Sequence, residues 1–76
     1  MIKVIVSNTS GNRKTIVVPT STTIRACFEQ AGVEYGGGII SVDGDQQDTE
    51  VLEQRLGDFA TGDTLNLMSV AKLANA

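Results

Sequence analysis

Histidine and tryptophan are absent from this 76-residue sequence, and it contains a single cysteine and a single proline. One cysteine cannot form an internal disulfide and cannot alone supply the thiolates that hold an iron–sulfur cluster. Since there is no histidine to activate the Cys27 thiol, we interpret Cys27 as a small buried hydrophobe. No nucleophile and base occur at a recognisable spacing, so we predict no catalytic residues, no cofactor and no enzyme activity.

Long hydrophobic runs are also missing. No stretch approaches the ~20 apolar residues of a membrane-spanning helix, and the N-terminus lacks a charged segment followed by an apolar one. The basic residues before Phe28 are scattered, with no aromatic residues among them, which is a poor pattern for nucleic-acid binding. They are Lys3, Arg13, Lys14 and Arg25. We therefore expect a cytoplasmic protein with no membrane or nucleic-acid partner.

Acidic residues are concentrated in the middle of the chain, whose net charge is −3. After Phe28 no basic residue occurs until Arg55, and the intervening acids are Glu29, Glu34, Asp43, Asp45, Asp48, Glu50 and Glu53. Two interpretations stay open, a surface for a partner and an ordinary solvated face. The run Asp43–Asp48 resembles the start of an EF-hand, but Asp48 and Gln54 replace the glycine and glutamate such a loop needs, so we expect no metal site.

One helix is predicted, within Thr22–Gly32. Its apolar residues recur at the i, i+3, i+4, i+7 spacing that places them on one face. They are Ile24, Cys27, Phe28 and Ala31. Thr22 or Thr23 can cap the first free N–H groups, and Gly32 can adopt the left-handed conformation that ends a helix. We expect Phe28 to be buried against Val4, Ile16 and Leu67.

Four segments have the composition and bounding residues of strands. They are Ile2–Val6, Lys14–Val18, Ile39–Val42 and Thr64–Val70. The polar segment Ser7–Arg13 predicts a hairpin between the first two, and Asp43-Gly44 predicts a turn after the third. A weaker apolar pattern at Val51, Leu52, Leu56 and Phe59 indicates a single helical or 3₁₀ turn before the last strand.

The order of elements predicts one α+β domain spanning residues 1–76, with a mixed β-sheet packed on one α-helix and a flexible tail at 71–76. If the last strand runs parallel to the first, the arrangement is a β-grasp. The glycines Gly36, Gly37 and Gly38 are interpreted as a loop between the helix and the third strand. They are not followed by a helix start or by Gly-Lys-Ser/Thr, so no phosphate loop is predicted.

Several stretches resemble ubiquitin and its relatives, and the resemblance runs nearly end to end. It is carried by Thr15–Pro19 leading to Thr23-Ile24, by Ile40–Gly44, and by Leu56–Phe59 before Gly62–Leu67. The sequence is thus similar to the β-grasp superfamily of ubiquitin-like proteins. The matched positions are mostly core and turn positions, so the resemblance implies a fold more than an activity.

Positions that carry ubiquitin's functions differ here. Ser41 stands where ubiquitin has the isoleucine at the centre of its recognition patch, and Thr9 and Met68 fall near the patch's leucine and valine. Ubiquitin and sulfur-carrier proteins end in Gly-Gly, whereas this sequence ends Lys72-Leu73-Ala74-Asn75-Ala76. Because the sequence departs from the family pattern here, we expect no conjugation tail of that type.

Three functions are compatible with these features. The preferred one is a non-catalytic ubiquitin-like module that docks on another protein through its sheet face. The alternatives are a modifier or carrier joined to a substrate through its C-terminus, and a small structural subunit of a larger assembly. Alternation places one set of residues on the outer sheet face, flanked by Lys3 and Lys72, and these are the predicted partner-binding residues. They are Ile5, Ser41, Asn66, Met68 and Val70.

Overall fold

The computed structural model describes residues 1–35, 38–60 and 62–71, which form a five-stranded mixed sheet with one α-helix on one face. The elements are β1 (Ile2–Asn8), β2 (Arg13–Val18), α1 (Ile24–Ala31), β3 (Gly38–Val42), β4 (Asp45–Gln47) and β5 (Thr64–Ala71). Two 3₁₀ turns, Thr49–Glu53 and Leu56–Asp58, connect β4 to β5.

The strands lie in the order β2-β1-β5-β3-β4. β1 is antiparallel to β2 and parallel to β5, while β3 is antiparallel to both β5 and β4. The parallel pairing of the first and last strands is the feature on which the β-grasp prediction depends, and it is confirmed. Parallel strands need a long crossover connection, and the one between these two strands contains the helix.

The core lies between the helix and the inner face of the sheet. On the helix, Ile24, Cys27 and Phe28 have no exposed surface, and Ala31 packs against the core from its edge. The sheet contributes inward-facing apolar side chains that are at most 3% exposed, namely Ile2, Val4, Val6, Ile40, Val42, Leu65 and Leu67. The burial of Phe28 is as predicted, with Ile16 partly buried at the margin of the same cluster. The Phe28 ring also meets the Tyr35 ring at a centroid distance of 5.4 Å, a contact that the sequence pattern did not indicate.

Both ends of the helix are closed as the sequence predicted. Of the two candidate caps, Thr23 is the one used, since its hydroxyl accepts a hydrogen bond from the Ala26 N–H at 3.2 Å. Gly32 takes the left-handed conformation, with φ 69°, and its N–H donates to the Glu29 carbonyl. The Ile24 N–H donates to the Gln54 carbonyl, which ties the helix start to the segment that follows the first 3₁₀ turn.

Strand β4 is the main departure from the predicted fold. Its sequence, Asp45–Gln47, has no apolar alternation, and it is not among the four strands predicted from the sequence. It becomes a strand because Asp43 and Gly44 both adopt positive φ, 51° and 90°, and form the tight turn that returns the chain along β3. An edge strand is held largely by backbone pairing on one side, so an apolar pattern is not required.

Other strand ends also differ from prediction. β1 continues two residues past Val6, to Asn8, and β2 begins at Arg13. Ala71, predicted as the first residue of a flexible tail, is the last residue of β5 and pairs with Gly38. The rest of that predicted tail, 72–76, lies outside the described residues, as do Gly36 and Gly37 of the predicted loop.

Candidate functional site

The outer face of the sheet, opposite the helix, carries the residues predicted to bind a partner. Residues that pair across strands share a face, so the register defines rows of neighbouring side chains. One row runs through Arg13, Ser7, Met68, Ser41 and Gln46. The next row runs through Thr15, Ile5 and Asn66. Met68 is therefore flanked by Ser7 and Ser41, with Ile5 one row away.

Members of both rows line a concavity of about 520 Å³, namely Arg13, Ser7, Met68 and Ser41 of the first row and Ile5 and Asn66 of the second. Four of the five predicted residues, Ile5, Ser41, Asn66 and Met68, are on its wall. Met68 is 41% exposed, although it belongs to a central strand. The fifth residue, Val70, is half-buried beside Ile39 farther along the same face and does not line the concavity. The outer face thus combines a partly exposed apolar floor with neutral hydrogen-bonding groups.

One side of the concavity is held by the β3–β4 turn. The Asp43 carboxylate accepts a hydrogen bond from the Asn66 N–H at 2.9 Å, and the Asp43 N–H donates to the Asn66 carbonyl at 2.8 Å. The same carboxylate oxygen is 3.5 Å from the Asn66 amide nitrogen, which donates to it. Asp43 therefore positions Asn66 on the outer face.

The opposite side is held by the β1–β2 turn, where Asn8 is only 9% exposed. Its side-chain oxygen accepts hydrogen bonds from the Ser10 and Asn12 N–H groups at 3.0 and 3.1 Å. Its amide nitrogen donates to the Glu34 carbonyl at 3.1 Å. The Asn8 side chain thus makes three hydrogen bonds within the protein, which fix the turn that forms this rim.

Sequence reasoning missed the residues that this turn contributes. Ser7, Asn8, Gly11, Asn12 and Arg13 line the concavity but were assigned to the hairpin connection. The signal that was available is the alternation of β1, which continues past Val6 and places Ser7 on the same face as Ile5. The Ser7 hydroxyl also donates a hydrogen bond to the Leu67 carbonyl at 3.4 Å.

The charged residues of the outer face are basic, whereas the whole chain has a net charge of −3. Its outward-facing strand positions within the described ranges include two charged residues, Lys3 and Arg13, and both are basic. Asp43, in the turn after β3, has its carboxylate hydrogen-bonded to Asn66. Lys72, predicted to flank the patch, lies outside the described residues.

Two other candidate groups come from the sequence analysis, the Cys27 thiol and the segment Asp43–Asp48, which resembles the start of an EF-hand. Burial raises the pKa of the Cys27 thiol from its ordinary value of 9.0 to about 11, so the thiol is protonated at neutral pH. The segment with EF-hand likeness forms the β3–β4 hairpin. Within residues 1–35, 38–60 and 62–71, no three His, Cys, Asp or Glu side chains are grouped so that they could hold a metal ion. No helix in those ranges has the length and apolar character needed to cross a membrane.

Comparison with known proteins identifies the fold. No family model matches the chain, and no curated protein matches its sequence significantly. Among solved structures, the chain is similar to the solution structure of a ubiquitin-like protein from Trypanosoma brucei. The match has a TM-score of 0.51 and 20% sequence identity, and it covers 99% of this chain and 100% of the other. The chain has a ubiquitin-like β-grasp fold.

Proposed function

We propose that this protein is a non-catalytic interaction module that binds another protein through the outer face of its sheet. The observation that carries the proposal is the concavity whose wall contains Ile5 and Met68 together with Ser41 and Asn66. None of these four side chains belongs to the buried core. A partner can therefore contact this face without drawing side chains out of the core.

The composition of the concavity suits a protein partner. Full burial of an apolar side chain such as that of Ile5 or Met68 contributes about 1.5–3 kcal/mol of favourable free energy. Met68 also has an unbranched, flexible side chain that adapts to irregular surfaces. Ser41 and Asn66 add hydrogen-bonding groups beside this apolar contact, and the basic Arg13 lies at the rim. A partner segment with one or two apolar side chains and acceptor groups around them would match this arrangement.

A quantitative capture experiment from the native cell extract tests the proposal. The immobilised protein, Met68→Glu and Gln30→Glu are compared, and bound proteins are measured by mass spectrometry. Gln30→Glu is the matched control, because it introduces the same side chain at an exposed position of the helix. We expect partners captured by the parent and by Gln30→Glu to be lost from Met68→Glu. The melting temperature of Met68→Glu should stay close to that of the parent.

A second comparison separates docking from covalent attachment. Deleting Leu73–Ala76 should leave capture nearly unchanged if the sheet face is the binding surface. Capture that survives Met68→Glu would contradict the docking function. A covalent adduct that forms with the parent and disappears on deletion of Leu73–Ala76 would favour a conjugated modifier instead.

A further inference from the structure

In the described part of the chain, each of the two edge strands of the sheet pairs with a neighbouring strand on one side. β2 lies at one edge and β4 at the other. Within the described ranges, residues of these strands make no hydrogen bond to any segment outside the sheet. Each edge strand therefore presents outward backbone N–H and C=O groups that another strand could pair with.

These edges carry opposite charge. Arg13 and Lys14 begin β2, whereas Asp45 begins β4 and Asp48 follows it. All four side chains are exposed, and none forms an ion pair with a described residue. The ion pair found within the described ranges, Arg25–Glu53, lies elsewhere on the surface. The charge asymmetry of the sequence thus becomes a separation of charge between two free strand edges.

The directions of the edge strands are also complementary. β2 is antiparallel to β1, and β1 is parallel to β5; β3 reverses direction from β5, and β4 reverses again. β4 consequently runs in the direction of β1, opposite to β2. A second copy placed beside the first by translation along the sheet would align its β2 antiparallel to β4. Its helix would stay on the same side of the extended sheet.

Continuing the observed register across this contact pairs residues of opposite charge. The row that contains Arg13 and Met68 ends at Gln46, so the next residue along the row would be Arg13 of the second copy. Antiparallel pairing then places Asp45 opposite Lys14 of the second copy. The two side chains point to the same face of the sheet, because Asp45 pairs with Val42 and Lys14 with Val6, both inward-facing residues.

We propose that this protein associates with a second copy of itself, head to tail, through the acidic β4 edge of one copy and the basic β2 edge of the next. The contact is heterologous, so repeated association makes open chains. It goes beyond the docking function because it uses the sheet edges, and among the residues that line the concavity only Arg13 belongs to an edge strand. β4 has three residues and surface ion pairs are weak, so association requires concentrated protein and low ionic strength.

Sedimentation velocity over a concentration series tests the proposal. At low salt the weight-average mass should rise with concentration above the 8.0 kDa of one chain. In ~1 M salt, where the screening length falls to about 3 Å, it should return towards one chain. A mass that stays at one chain at every concentration in low salt would overturn the proposal.

Charge-reversal variants locate the contact. Lys14→Asp and Asp45→Lys should each be monomeric, because each places like charges opposite one another. An equimolar mixture should associate again, since each variant offers the edge that the other can bind. Lys3→Asp and Glu34→Lys make the same changes in net charge away from the edges and should associate like the parent. Association that survives either edge reversal, or that the mixture fails to restore, would contradict the proposed contact.

The unmodified protein supplies a measurement that does not depend on variants. In a dilution series followed by amide NMR, the signals of Lys14 and Gln46 should shift with concentration, whereas that of Gln30 on the helix should not. Shifts confined to Ile5 and Met68 would place self-association on the outer face and overturn an edge contact.

Discussion

The two faces of the sheet are made from alternate residues of the same strands, yet they obey different constraints. On β5, Leu67 is 1% exposed and faces the helix, whereas the next residue, Met68, is 41% exposed and faces outward. On β1, Val4 is fully buried while Ile5 is half-buried. The side chains of the inner face are constrained by packing under one short helix. The outer face contributes little to the core, and its side chains can contact a partner.

The largest effect on stability is expected at Phe28, the largest fully buried side chain, which belongs to the helix that covers the inner face. Phe28→Ala should lower the free energy of unfolding by about 3–5 kcal/mol, because it removes apolar burial and leaves a cavity. Chemical denaturation measures this loss. Phe59→Ala is the control, since Phe59 is only half-buried, and it should cost clearly less. Equal losses for the two variants would show that the helix does not pack as described.

Leu67 and Met68, which are neighbours on β5, compare the inner and outer faces directly. Leu67→Ala should cost about 2–5 kcal/mol, as is typical of a buried leucine. Met68→Ala should cost less than about 1 kcal/mol, because its side chain is largely outside the core. Both variants are measured by the same denaturation experiment. A Met68→Ala loss as large as that of Leu67→Ala would contradict the division between the faces.

The pH dependence of the free energy of unfolding tests the burial of Cys27 on the apolar face of the helix. The folded pKa of Cys27 is about 11, above its ordinary value of 9.0, so between these values the unfolded chain releases a proton that the folded chain keeps. The stability contributed by this group is present below pH 9 and falls as the pH rises, by at most about 1.4 kcal/mol per pH unit. Denaturation of the parent and Cys27→Ala across this range should show a shallower fall for Cys27→Ala. Parallel falls would contradict burial of the thiol.

The cap of the covering helix gives a smaller effect. Thr23→Ala removes the hydroxyl that accepts the Ala26 N–H and should cost about 1 kcal/mol. Thr22→Ala is the control, since the cap position belongs to Thr23. Thermal unfolding of both variants tests the assignment. A greater loss of stability for Thr22→Ala than for Thr23→Ala would contradict the assignment of Thr23 as the cap.

Much of this division between faces could be predicted from the sequence, because alternation depends on the backbone alone. The period of two in β1 and β5 is sufficient to assign Val4 and Leu67 inward and Ile5 and Met68 outward. Four of the five predicted site residues therefore line one concavity. Their role in binding stays a prediction.

Features that depend on polar contacts could not be predicted in the same way. β4 is polar and forms through a tight turn at Asp43 and Gly44. The rim beside β1 depends on Asn8, whose side chain bonds to both its own turn and the Glu34 carbonyl. The Asn8–Glu34 contact joins residues 26 positions apart in the sequence. The turn before β4 has a sequence signal, but the polar β4 itself has no periodic one.

Amide NMR mapping of the protein with a purified captured partner tests the docking surface most directly. We expect chemical-shift changes to concentrate at Ile5, Ser41, Asn66 and Met68, and we expect Met68→Glu to abolish them while the fold is preserved. Changes concentrated on the exposed helix positions Glu29 and Gln30, with binding unaffected by Met68→Glu, would contradict the assignment of the outer sheet face as the docking surface.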